Sequence, residues 1–126
     1  MILGLGIDLC QIDKIEEIVA ETHFLQRYFS QEEIAYIQKK NMAAAQSAAA
    51  IFAAKEAALK AFGTGFGAFN VKEIALLHLP SGQPYYALTG KAKEYLKEIG
   101  GKAIHVSISH EGNMAIAIAI IEGEKK

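Results

Sequence analysis

The sequence holds a single cysteine, Cys10. It cannot close an intrachain disulfide, so a reducing cytoplasm is the expected compartment. An excess of either charge is missing as well. Thirteen Lys and Arg stand against 14 Asp and Glu, for a formal net charge of −1. Nucleic acid and anionic membrane are therefore not expected partners. No apolar run approaches the roughly 20 residues needed to cross a bilayer. The run from Met1 to Ile7 is short and lacks a basic leader, so it does not read as a signal peptide. The two prolines, Pro80 and Pro84, both belong to one stretch, Pro80-Ser-Gly-Gln-Pro84, which reads as a turn. There is no Walker loop and no Cys/His cluster for zinc. Gly4-Leu-Gly6 and Gly63-Thr-Gly65 lack the full dinucleotide fingerprint, and no Ser-His-Asp triad is readable.

What remains is 52% hydrophobic and 21% charged over 126 residues. That suffices for a core and for solubility, and residues 1–126 read as one domain with no internal linker and no low-complexity region beyond the alanine run. Met1 to Leu9 reads as a buried strand whose internal glycines, Gly4 and Gly6, mark a close approach by another element. Residues 11–21 carry Ile12, Ile15, Ile18 and Val19 at helical spacing. Phe24, Leu25, Tyr28 and Phe29 make a further apolar patch. Ser30 and Glu33 form a capping box that starts a helix to about Lys40.

Residues 42–62 are alanine-dense and free of Pro and Gly, and a helix there should stop at Gly63. Gly63 to Gly67 reads as a flexible connector. Val71 to Leu79 and Tyr85 to Leu88 read as strands. Thr89 should cap a helix to about Ile99. Ala103 to Ser109 and Met114 to Ile121 read as a hairpin turning at 110–113. Ile104, Val106 and Ile108 are expected to share a face with Ile116, Ile118 and Ile120. Ala115, Ala117 and Ala119 then lie opposite, against a helix or a neighbouring subunit. The fold class is α+β: a mainly antiparallel sheet packed on one long helix.

Three segments carry chemistry. In Phe52-Ala-Ala-Lys-Glu-Ala-Ala-Leu-Lys60, Glu56 and Lys60 share a helix face. By spacing alone they read as a surface ion pair of about 0.2–0.5 kcal/mol, and Lys55 as a solvated charge. The surrounding helix is nearly uncharged and opens on a glycine-rich loop, which also suits a metal–phosphate site: a carboxylate for magnesium and a lysine for phosphate. Asp8 follows the first strand and reads equally as a second metal ligand or as a cap for the helix beginning near Gln11. In His105-Val-Ser-Ile-Ser-His110, His105, Ser107 and Ser109 share a strand face, and Ser109 and His110 lie at the strand end.

Together, Gly4-Leu-Gly-Ile-Asp-Leu9, Phe52-Ala-Ala-Lys-Glu-Ala-Ala-Leu-Lys-Ala-Phe-Gly-Thr-Gly65 and His105-Val-Ser-Ile-Ser-His110 resemble the holo-[acyl-carrier-protein] synthase family. This is the small, trimeric class of 4′-phosphopantetheinyl transferase. The resemblance spans essentially the whole chain. It implies magnesium-dependent transfer of 4′-phosphopantetheine from coenzyme A to a serine of apo acyl carrier protein, with release of 3′,5′-ADP, in fatty acid biosynthesis. Asp8 and Glu56 would bind Mg2+, and Lys60 would contact the coenzyme A phosphates. Gly82 and Pro84 would flank the adenine, and Ser109 and His110 would line the nucleotide pocket. A homotrimer with active sites shared between subunits is implied as well.

The chain departs from the family pattern in three places. Ile51 stands where relatives often carry Arg, and Gln83 where they often carry Lys or Arg. The first helix, usually Arg-rich, keeps only Lys14 and Arg27, with His23 between, against Glu16, Glu17 and Glu21. The carrier contact is then expected to lean on apolar groups such as Phe24. These departures motivate the alternative of a catalytically weakened coenzyme A- or carrier-binding module of the same fold.

Overall fold

The computed structural model describes residues 1–64 and 69–126. Of the connector expected at Gly63 to Gly67, Gly65 to Gly67 lie outside the described residues. The elements run β1 (Ile2–Gln11), α1 (Ile12–Val19), α2 (Thr22–Tyr28), α3 (Gln31–Lys39) and α4 (Ala44–Phe62). They continue with β2 (Ile74–His78), β3 (Pro84–Leu88), α5 (Gly90–Glu98), β4 (Gly101–Glu111) and β5 (Met114–Gly123). β1, β5 and β4 form an antiparallel sheet in that order, and β2 and β3 pair separately, also antiparallel. The α+β architecture on one long helix is the one expected.

α4 has 19 residues and is about 28 Å long. It lies across β1 and β5, and its alanines let it come close. Ala48, Ala49, Ala53, Ala54, Ala57 and Ala58 are all fully buried. Gly4 and Gly6 answer from β1. A Cβ on Gly4 would land on the Ala61 carbonyl oxygen, and one on Gly6 on the Ala57 carbonyl oxygen. The helix stops at Gly63, in the left-handed conformation at φ 76°.

Several expectations are corrected. Residues 11–21 do not form one helix: β1 runs on to Gln11, α1 ends at Val19, and the apolar patch after it is a second helix, α2. Asp8 therefore sits inside β1 and caps nothing. The start of α1 is held by Asn113 from the β4–β5 turn, whose Oδ1 accepts from the Asp13 N–H at 2.9 Å. A 3₁₀ turn, Asn41–Ala43, precedes α4, and another, Val71–Glu73, precedes β2. Thr89 makes no side-chain cap. Glu73 takes that role, accepting from the Lys91 N–H at 3.1 Å.

The hairpin faces are also reassigned. β4 and β5 meet in a turn that pairs Glu111 with Met114. Every even-numbered β4 residue consequently faces an odd-numbered β5 residue. Ile104, Val106 and Ile108 lie beside Ile121, Ala119 and Ala117 on the helix side. Ile116, Ile118 and Ile120 lie on the outer face, between Leu9, Ile7 and Leu5 of β1 and Ser109, Ser107 and His105 of β4. The alternation within each strand is the one expected; the register between the strands decides which residues share a face.

Lys55 is not solvated. It and Glu33 are both fully buried, with Nζ 2.6 Å from Oε1. Glu33 Oε1 also accepts from the Ser30 N–H at 2.8 Å, closing the capping box, and Oε2 accepts from the Leu76 N–H at 2.9 Å. Burial lowers the Lys55 pKa, and the Glu33 carboxylate opposes that shift. Removing one partner strands a buried charge. Lys55→Met is expected to cost about 3–5 kcal/mol in urea unfolding, and a loss below about 1 kcal/mol would contradict this account.

Candidate active site

β1 and α4 cross where Gly4 and Gly6 admit the helix. On the same side of β1, two and four residues beyond Gly6, are Asp8 and Cys10. Facing them, α4 presents Glu56 and Lys60, one helical turn apart. Lys60 Nζ donates to the Ile7 carbonyl at 2.9 Å and to Asp8 Oδ1 at 3.1 Å. The expected Glu56–Lys60 ion pair is thus replaced by Lys60–Asp8. Glu56 instead accepts from the Tyr28 hydroxyl, Oε2 to oxygen 3.1 Å.

Burial pushes the Glu56 pKa up, and the Asp8 charge adds to that. The Tyr28 hydrogen bond and the Lys60 charge pull it back. Tyr28 is itself raised far above the ordinary phenol range, first by burial and then by the Glu56 charge and hydrogen bond. It stays protonated and acts as a donor. The Cys10 thiol is pushed up to about 11 by burial, then by Asp8 and Glu56.

The remaining candidates lie elsewhere. Gly82, Pro84 and His110 line a groove of about 580 Å³ together with Gln46, Gln83 and Lys40. Gly82 adopts φ 93° in the β2–β3 turn, a conformation that favours glycine. His110 Nδ1 lies 2.6 Å from Gln46 Nε2. Ser109, next to His110, takes the opposite face of β4 and lines a shallow hollow with Ile7, Ile116 and Ile118. Within one chain, then, Asp8, Glu56 and Lys60 come together, the groove gathers Gly82, Pro84 and His110, and Ser109 stands apart. Ile51 is inside the core, 1% exposed. Phe24 is half-buried, its ring stacked on Tyr28 and Phe52.

Sequence reasoning missed Tyr28 as a neighbour of Glu56 and missed the groove's Tyr36 and His78. Those two rings stack at 3.9 Å. Tyr28 carried a partial signal, four residues after Phe24 on one helical face. No local signal joins Tyr36 to His78.

The chain matches the model of the 4′-phosphopantetheinyl transferase superfamily over residues 4–119. It is 45% identical to the holo-[acyl-carrier-protein] synthase of Treponema denticola, over 98% of this chain and 100% of that one. The crystal structure of the Neisseria meningitidis holo-[acyl-carrier-protein] synthase superposes with a TM-score of 0.88 at 29% identity, covering 97% and 99% of the two chains. The Helicobacter pylori enzyme, solved in complex with coenzyme A, gives 0.81 at 31% identity, covering 94% and 99%.

The raised Cys10 pKa has a direct consequence. At about pH 8 the folded protein should alkylate with iodoacetamide at least about tenfold more slowly than the urea-unfolded chain, because the raised pKa removes most of the thiolate and its greater nucleophilicity offsets only part of that loss. Intact-mass time courses measure both rates, and equal rates would count against a shielded thiol.

Proposed function

The chain belongs to the 4′-phosphopantetheinyl transferase superfamily, and from that premise we propose that it is a holo-[acyl-carrier-protein] synthase with its reacting end at the crossing of α4 and β1. The observation that carries this reading is the convergence of three groups distant in sequence: Lys60 is bonded to Asp8, and Glu56 feels the charges of both. The reaction moves 4′-phosphopantetheine from coenzyme A to a serine of apo acyl carrier protein, for fatty acid biosynthesis in the cytoplasm. The serine hydroxyl gives up its proton to solvent as its oxygen bonds to the β-phosphorus, the bridging P–O bond breaks, and 3′,5′-ADP leaves.

The donor set fits magnesium. Asp8 and Glu56 offer hard carboxylate oxygens, and Cys10 is held as a neutral thiol. Among the described residues no group of three or more His, Cys, Asp and Glu gathers to cage an ion. Two carboxylates completed by water and substrate phosphate is the arrangement magnesium favours. When bound, the ion neutralises phosphate charge and stabilises the charge developing in transfer. Lys60, with its side chain 58% exposed, is free to turn its ammonium from Asp8 to phosphate oxygens as a point charge. At the other end, Gly82, Pro84 and His110 supply the groove for the nucleotide.

The groove and the carboxylates lie on different parts of one chain, which supports a site shared between copies. The outer sheet face supports the same reading. Leu5, Ile7 and Leu9 are 60%, 53% and 58% exposed there, next to Ile116, Ile118 and Ile120. Such a contiguous apolar patch is a mark of an interface. Ser109 and Ser107 lie on that face as well, so a homotrimer joined through it would bring them to a neighbour.

Incubation with coenzyme A, Mg2+ and apo carrier protein should add one phosphopantetheine mass to the carrier. Glu56→Gln should lower the rate about a hundredfold, equivalent to about 3 kcal/mol of transition-state stabilisation, with an unchanged circular dichroism spectrum. Binding of coenzyme A without any mass transfer would favour the binding-module alternative instead. For assembly, light scattering should show a trimer, and Ile118→Glu should yield a smaller, inactive species; a monomeric wild-type protein with full activity would refute the shared site.

A further inference from the structure

Glu56 is a flexible side chain asked to hold one position, and the fold surrounds it with an unusual support. Tyr28 ends α2 and is 8% exposed. Its ring stacks on Phe52 at 4.8 Å and on Phe24 at 5.4 Å, with Phe29 edge-on at 5.2 Å. The buried Lys55 ammonium lies 5.3 Å from the ring centroid, within cation–π range. These contacts pack the ring on several sides and set where its hydroxyl lies. That place is 3.1 Å from Glu56 Oε2.

We propose that Tyr28 is a positioning residue for the transfer reaction, its hydroxyl fixing the Glu56 carboxylate in the orientation that receives the metal ion. The inference rests on the assignment of Asp8 and Glu56 as the magnesium ligands. Its chemistry is that of an outer hydrogen bond on a ligating carboxylate. Engaging Oε2 removes the free rotation of the terminal torsion. It also draws part of the negative charge that would otherwise repel Asp8. Tyr28 touches no substrate atom and acts through Glu56. Loss of such a partner typically weakens metal affinity 10- to 100-fold.

The test compares wild type, Tyr28→Phe and Ile74→Val. Tyr28→Phe keeps the ring stack and removes only the hydroxyl. Ile74→Val truncates a fully buried β2 side chain outside that stack and controls for a general loss of stability. Mn2+, a spectroscopic substitute for magnesium, is titrated by electron paramagnetic resonance at fixed coenzyme A. Tyr28→Phe is expected to weaken Mn2+ binding about tenfold or more. At saturating metal its KM for coenzyme A should match wild type, and Ile74→Val should bind Mn2+ like wild type. The wild-type protein should also show a tyrosine difference spectrum in the near ultraviolet on Mn2+ addition, reduced in Tyr28→Phe. Mn2+ affinity in Tyr28→Phe within twofold of wild type overturns the positioning role while leaving the metal site standing. An equal weakening in Ile74→Val overturns it too, because the effect is then one of stability. If wild type itself binds no Mn2+ with coenzyme A present, the metal assignment fails and the inference falls with it.

Discussion

The buried pair of Glu33 and Lys55 is the constraint around which the rest is arranged. Two opposite charges without solvent access are tolerated when they are paired and hydrogen-bonded. Here they are answered from three directions. Ser30 and Leu76 donate their backbone N–H groups to Glu33, and Lys55 lies against the Tyr28 and Phe29 rings. One carboxylate thereby ties the start of α3 to α4 and to β2. The pair also sets the rotation of α4 about its axis. With Lys55 turned into the core, the next residue is about 100° further round. Glu56 is thus directed toward Tyr28 at the end of α2. A sequence neighbour that looks like a second ordinary charge is thus the one that fixes where Glu56 points.

Close packing supplies the second condition. Asp8 belongs to a strand and Lys60 to a helix, and a direct ion pair between them requires their backbones to run near one another. Gly4 and Gly6 on one side and the alanines of α4 on the other allow that approach. Larger residues at these positions would separate the elements and open the distance between the two charges. The small residues and the charged ones are therefore parts of one arrangement: the first bring the elements together, and the second use the proximity.

The three-stranded sheet divides the molecule chemically. Its inner face carries small and aliphatic residues against α4, together with Asp8 and Cys10. Its outer face carries Leu5, Ile7 and Leu9, Ile116, Ile118 and Ile120, and a polar row of His105, Ser107 and Ser109. Ser109 lines the outer hollow while His110 lines the groove, so the two stand in separate recesses of one chain.

Local physics was legible from the residues alone. The capping box at Ser30, the helix stop at Gly63, the close-approach glycines of β1 and the hairpin before Met114 all depend on nearby residues, and all are present. The three ordered motifs, read in sequence, also pointed to the family to which the chain belongs. What residue spacing left open was pairing across elements. Glu56 faced Lys60 in the helical pattern but is bonded to Tyr28. Lys60 turned to Asp8, and Lys55 found Glu33 inside the core. Periodicity records which side of an element is apolar. Which charge meets which is settled only when helices and strands from distant parts of the chain pack, because an ionic or hydrogen-bonded contact depends on a few ångströms of separation that no single element contains.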